Sequence, residues 1–214
     1  MQSNKNKKFC DLYQDLYHKI VIFNKRSSIR QFKDALRQAL TEGMAIDFRP
    51  DNLRTLLYSA IMLNCIGNEK TRIIGTLLEA GAGIDYKDKQ VFSRNALQQM
   101  LLMLDTHVSA DDLPKYLKLL EEVIKRTKNI NYESTQHETA FSIAFDKYIS
   151  TGNSYFLDII PKLIKAGAVA KISNTMKKRA QQFSQEQRLD QIKNAIISVE
   201  DLKASNMSEY DYEL

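Results

Sequence analysis

The chain reads as all-α, a row of repeated helical hairpins closed by a capping helix at each end. Three observations predict this. The stretch Leu77-Leu78-Glu79-Ala80-Gly81-Ala82-Gly83-Ile84-Asp85 recurs in degraded form, each time after an apolar run. Its copies begin at Leu40 (Leu40-Thr41-Glu42-Gly43-Met44-Ala45-Ile46-Asp47), at Val123 (to Asn131) and at Leu163 (Leu163-Ile164-Lys165-Ala166-Gly167-Ala168-Val169-Ala170). Between the copies, apolar residues recur at helical spacing. Finally, 7 Gly and 3 Pro in 214 residues are too few for a turn-rich all-β fold.

The stretch itself has a mechanical reading. Leu77 and Leu78 close the apolar face of a helix, and Gly81 stands where a left-handed C-terminal cap needs a residue without a Cβ. Ala82 is small enough for close approach, and Ile84 is an apolar turn residue that needs another layer to cover it. A unit of this kind expects a neighbour. Thr55 and Thr139 each follow a copy and open a helical pattern, as does Asn95 two residues late; Thr and Asn are N-cap residues.

This order of turn, capped helix, second helix and Gly-Ala resembles the ankyrin repeat, whose signature is Thr-Pro-Leu-His-x-Ala followed by a Leu-Leu and Gly-Ala element. The resemblance covers roughly Ser28 to Ile172. It departs from the family at the helix-start box, where the Pro is replaced by Leu56, Ala96 and Ala140 and the His by Tyr58, Gln98 and Ser142. The step from Ile46 to Ile84 is 38 residues, to Ile130 another 46 and to Ala170 another 40, against a family period of about 33. The excess falls between the two helices of each unit, in loops or lengthened helices. The implied architecture is an ankyrin-like alpha-solenoid; an alpha-solenoid of another repeat family has the same helix count.

In order, Phe9, Leu12, Tyr13, Leu16, Tyr17 and Ile20 form one helical stripe, and residues 1–27 are expected to be an N-terminal capping helix. Ser28 with Gln31 offers a capping box for the stripe Ile29, Phe32, Ala35, Leu36, Ala39 and Leu40, and the two helices form a starting hairpin. Residues 28–172 hold about three full units plus partial end units. The first has helices near Thr55–Cys65 and Glu69–Glu79, with Asn68 as N-cap. The second runs from Asn95 to Leu104, crosses Asp105–Asp112 and resumes over Leu113–Lys125, with Pro114 in the first turn. The third runs to Tyr148, crosses Ser150–Asn153 and returns over Ser154–Ala166, where Pro161 predicts a kink or a start near Ile160. Residues 173–199 read as C-terminal capping helices, with a Ser184–Gln187 capping box and a Leu189, Ile192, Ile196 and Val199 stripe. Residues 200–214 read as an acidic flexible tail.

Composition bounds the chemistry. Cys10 and Cys65 lie far apart without metal-ligand spacing, which implies free thiols in a reducing compartment. Ile20-Val21-Ile22-Phe23 is too short for a membrane span or a signal-peptide core, so no membrane insertion is expected. His18, His107 and His137 sit in different units, none with a second ligand at metal spacing, and no phosphate loop precedes a helix. No enzyme, metal or cofactor is therefore expected. The formal charge of +5 raises a basic nucleic-acid-binding repeat protein as the alternative, although the basic clusters lack interleaved aromatics.

The favoured reading is a monomeric protein-protein interaction scaffold whose partner protein is unidentified. By resemblance, its contact residues are the turn tips and the exposed face of each first helix. The tips are Asp51, Asn52 and Arg54, then Lys89, Gln90 and Arg94, then Thr135, Gln136 and Glu138. The helix positions are Met62 with Leu63, Leu102 with Met103, and Asp146 with Lys147. The four apolar ones form an adaptable groove if exposed, and core if the longer inter-helix segments cover them. Phe92, on a two-residue insertion with Val91, is an interface anchor if exposed. In composition, a Lys- and Asn-rich chain ending in an acidic tail looks like effectors that intracellular bacteria deliver into host cells. That analogy implies a cytoplasmic protein, in its own cell or a host's.

Overall fold

The computed structural model describes residues 2–22, 29–51, 53–62, 69–87, 92–172, 174–182 and 186–210. Among them there are ten helices and no strand. They are α1 (Gln2–Ile22), α2 (Ile29–Thr41), α3 (Leu56–Met62), α4 (Glu69–Glu79), α5 (Ala96–His107), α6 (Leu113–Arg126), α7 (Ala140–Thr151), α8 (Ser154–Lys165), α9 (Asn174–Gln182) and α10 (Glu186–Tyr210). Residues Ser28, Asn68, Cys65, Val91 and Ser184, to which capping, thiol or insertion roles were assigned above, lie outside the described residues, as do residues 211–214.

The chain divides into two compact units, Met1–Thr127 and Lys128–Leu214. In the first, α1 pairs with α2, α3 with α4 and α5 with α6; the first helices α1, α3 and α5 pack side by side, and so do the second helices α2, α4 and α6. Each hairpin thus buries its apolar stripe against the next, as a repeat that cannot fold alone must. Tyr13, Leu16 and Ile20 of α1, Phe32 and Leu36 of α2, Leu57 and Ile61 of α3, Ile74 and Leu77 of α4, Leu101 of α5 and Tyr116 and Leu120 of α6 are all buried. In the second unit α7 and α8 form one hairpin, α10 lies against both, and α9 packs on α7 and α10. Its core holds Phe141, Phe145, Phe156, Ile160 and Leu163, closed by Leu189, Ile192, Ile196 and Val199.

The repeated glycines end their helices in one way. Gly43, Gly81 and Gly167 have φ of 87°, 87° and 96°. In each case the Gly N–H donates to the carbonyl three residues back, and the next N–H to the carbonyl five back: Gly81 to Leu78 and Ala82 to Leu77, both 3.0 Å. Gly43 and Met44, and Gly167 and Ala168, make the same pair of bonds to Leu40 and Ala39 and to Ile164 and Leu163. This is the Schellman arrangement, and only Gly adopts it without the left-handed penalty.

The helix starts answer the missing histidines. Asn95 Oδ1 accepts from the Gln98 N–H at 3.0 Å while Gln98 Oε1 accepts from the Asn95 N–H at 3.1 Å. Thr139 and Ser142 exchange the same two bonds, at 3.1 and 2.9 Å. The residues that replace His therefore complete reciprocal capping boxes. Thr55 Oγ1 accepts from the Tyr58 N–H at 3.3 Å.

The extra residues of the long periods go partly into helix. α5 continues three residues past Leu104 to His107, and α7 three past Tyr148 to Thr151, where Gly152 (φ 73°) caps it. Helix α8 begins at Ser154, not Ile160, and runs through Pro161. Five buried apolar side chains on that helix, Phe156, Ile159, Ile160, Leu163 and Ile164, contribute about 1.5–3 kcal/mol each, which outweighs the roughly 3 kcal/mol that an interior Pro costs.

Candidate protein-binding surface

The tips are built on tethered turns. After Ile46, the Asp47 carboxylate reaches forward 36 residues to accept the Gly83 N–H at 2.8 Å. Asn131 makes the equivalent tie in the second unit, donating to the Gly167 carbonyl at 2.9 Å and accepting from the Val169 N–H at 2.7 Å. Both Asx residues are followed by an aromatic, Phe48 and Tyr132, as is Asp85 by Tyr86. Phe48 packs edge-on against Phe9 and Tyr13. The Arg49 guanidinium lies 4.9 Å over the Tyr86 ring and donates to its hydroxyl at 3.0 Å. Spacing-based reasoning missed this Arg49–Tyr86 pair; the aromatic that follows each Asx is the signal that marks it.

At the first tip Asp51 is exposed and Arg54 partly so, with its carbonyl held by the Tyr13 hydroxyl at 2.6 Å and its guanidinium 5.9 Å over Tyr58. Leu53, not singled out from the sequence, is exposed beside them. At the second tip Phe92 and Ser93 both have left-handed backbones, φ 54° and 52°. Phe92 is 47% exposed, and the Arg94 guanidinium stacks 4.8 Å over its ring. Consecutive left-handed non-glycine residues are strained, and the strain turns the ring outward rather than into the core.

The third tip, in the second unit, is folded around the buried Ser134. Its Oγ accepts from the N–H groups of Gln136 and Glu138, and its N–H donates to the Glu138 carbonyl at 2.9 Å. Thr135 and Gln136 are exposed, Glu138 is partly exposed, and His137 stands outward with φ 58°.

On the first helices, Met62 of α3 and Leu102 and Met103 of α5 are partly exposed on neighbouring helices of one unit. Asp146 and Lys147 of α7, also partly exposed, belong to the other unit. Asn52, Leu63, Lys89 and Gln90 lie outside the described residues. Among the described residues no group of three His, Cys, Asp or Glu side chains is placed to hold a metal. No described helix is long and apolar enough to cross a membrane.

No protein-family model matches the chain, and no curated protein does. Over 85% of its length the chain is similar to a solved structure, an ankyrin repeat domain from Acinetobacter baumannii AYE, with 16% identity, 97% of that chain covered and a TM-score of 0.43.

Proposed function

We propose that the protein is a binding scaffold that holds a partner protein through its turn tips and the exposed faces of α3 and α5. The observation that carries this reading is Phe92: a large aromatic, about half exposed, on a strained turn and braced by Arg94. An aromatic anchor flanked by Arg is the combination that dominates protein interfaces. Met62, Leu102 and Met103 supply an adaptable apolar floor beside it, and Asp51 and Arg54 a polar rim. In the second unit Thr135, Gln136, Glu138, Asp146 and Lys147 offer a polar extension of the same kind.

The test is affinity capture with the full chain, followed by affinity measurement on the partner retained. Phe92→Ala with Arg94→Glu weakens binding at least tenfold while leaving the helical spectrum unchanged. Equal binding by the double variant overturns the assignment. The nucleic-acid alternative predicts a different result: affinity for an oligonucleotide that falls steeply with added salt and is indifferent to Phe92.

A further inference from the structure

The second helices carry a feature that the tip reading does not use. A groove of about 310 Å³ opens on the face formed by α2, α4 and α6. Lys33 of α2, Arg72 of α4 and Lys115 and Lys118 of α6 line it, and all four are exposed. One carboxylate, Glu79, stands among them, 4.0 Å from Lys33. The groove exists because α4 carries Gly75 at its centre: a Cβ built there meets a single atom, Leu119 Cδ2, at 3.5 Å, and is otherwise open. Gly in a helix interior is destabilising by roughly 0.5–1 kcal/mol relative to Ala, and here it leaves room for something to lie across the helix.

We propose that this groove is a second binding site, and that it takes an extended acidic segment of a partner protein. The charges fix the sign of the ligand, and their spread fixes its length. Packed helices sit about 8–10 Å apart, so Lys33 and the α6 lysines are separated by two such spacings. That separation matches five or six residues of extended chain at about 3.3 Å each. A compact anion reaches only one wall, whereas a run of Asp and Glu reaches both. A single-stranded nucleic acid has the charge and the length, but no residue lining the groove is aromatic, so nothing there stacks on a base. Glu79 holds the position of a ligand carboxylate and is displaced on binding.

This site stands independently of the tip surface, and its test separates the two. A fluorescein-labelled Glu decapeptide is titrated with the full chain at physiological salt and followed by anisotropy. A Gln decapeptide and a ten-nucleotide single-stranded DNA serve as comparisons. The Glu peptide binds, the Gln peptide does not, and the DNA binds more weakly than the Glu peptide. Lys115→Glu with Lys118→Glu lowers affinity tenfold or more. Gly75→Gln does the same without changing charge, because its side chain fills the groove and a helix favours it over Gly. Glu79→Gln tightens binding, and Phe92→Ala with Arg94→Glu leaves it unchanged. Three results overturn the proposal: no binding of the Glu peptide, DNA binding at least as tightly, or Gly75→Gln without effect, which reduces the interaction to diffuse surface charge. Circular dichroism of each variant separates loss of binding from loss of fold.

Discussion

Gly83 and Asp47 depend on each other across 36 residues. A Cβ on Gly83 falls 2.7 Å from Asp47 Oδ2, closer than real Cβ contacts come, and the Gly83 N–H is the carboxylate's donor. Gly83→Ala therefore displaces the carboxylate and loses a charge-assisted hydrogen bond worth about 1.5–3 kcal/mol. In an Asp47→Ala background the same change is neutral or gains the roughly 0.4–1 kcal/mol that Ala brings by stiffening the unfolded chain. A double-mutant cycle in urea reads the coupling directly, and additive effects refute the tie. The sequence displays Asp47 and Asn131 as a recurring position but not what they hold, since recurrence is local information and the partner is a repeat away. Tyr116 makes a residue-scale statement about pH. It is fully buried, its hydroxyl donates to the Met100 carbonyl at 3.1 Å, and burial raises its pKa above the ordinary 10.0. Burial raises Tyr13 as well. A folded-state pKa above the unfolded value means that the stability contribution is whole below about pH 10 and is lost as pH rises beyond it. The urea midpoint accordingly falls above pH 10, and Tyr116→Phe makes that fall shallower.

Helix ends are the part of the fold that a sequence states most openly, because a cap is a contract between neighbours in the chain. Gly81 and Gly167 as stops and Asn95 and Thr139 as starts are all readable, and all hold in the structure. Gly81→Ala and Gly167→Ala each force a Cβ into the left-handed region, at about 1–2 kcal/mol; Thr139→Ala removes a cap worth about 1 kcal/mol. Thermal or urea unfolding measures both, and an unchanged midpoint in Gly167→Ala contradicts the Schellman assignment. Two further caps were invisible to this logic. Arg126 of α6 donates to the Leu78 and Ala82 carbonyls at the end of α4, and Arg188 of α10 donates to the Ile149 carbonyl of α7 at 2.7 Å. Each guanidinium places positive charge at the negative end of another helix, and neither partner is near in sequence. Gly152 serves the second of these twice over: its φ is 73°, and a Cβ there lies 2.5 Å from the Arg188 side chain.

At the scale of the whole molecule, the boundary between the two compact units falls after Thr127, in the one copy of the repeated stretch that has lost its Gly. There the backbone leaves α6 extended, at φ −69° and ψ 115°, instead of turning through a left-handed residue. Sequence reading marks that copy as degraded without indicating a division, because a missing Gly announces a different turn and says nothing of how contacts partition on either side. If each unit carries its own core, a cavity in one is felt there first. Phe156 is completely buried, and Phe156→Ala costs about 3–5 kcal/mol. Hydrogen exchange then accelerates through α7, α8 and α10, while α2, α4 and α6 keep their wild-type protection, since repeat stability is a sum of local and nearest-neighbour terms. Ile61→Ala, at a fully buried position of α3, produces the reverse pattern at about 2–5 kcal/mol. Equal acceleration in all helices for either variant means that the chain unfolds as one cooperative block, and the two cores are then one in energy though separate in space.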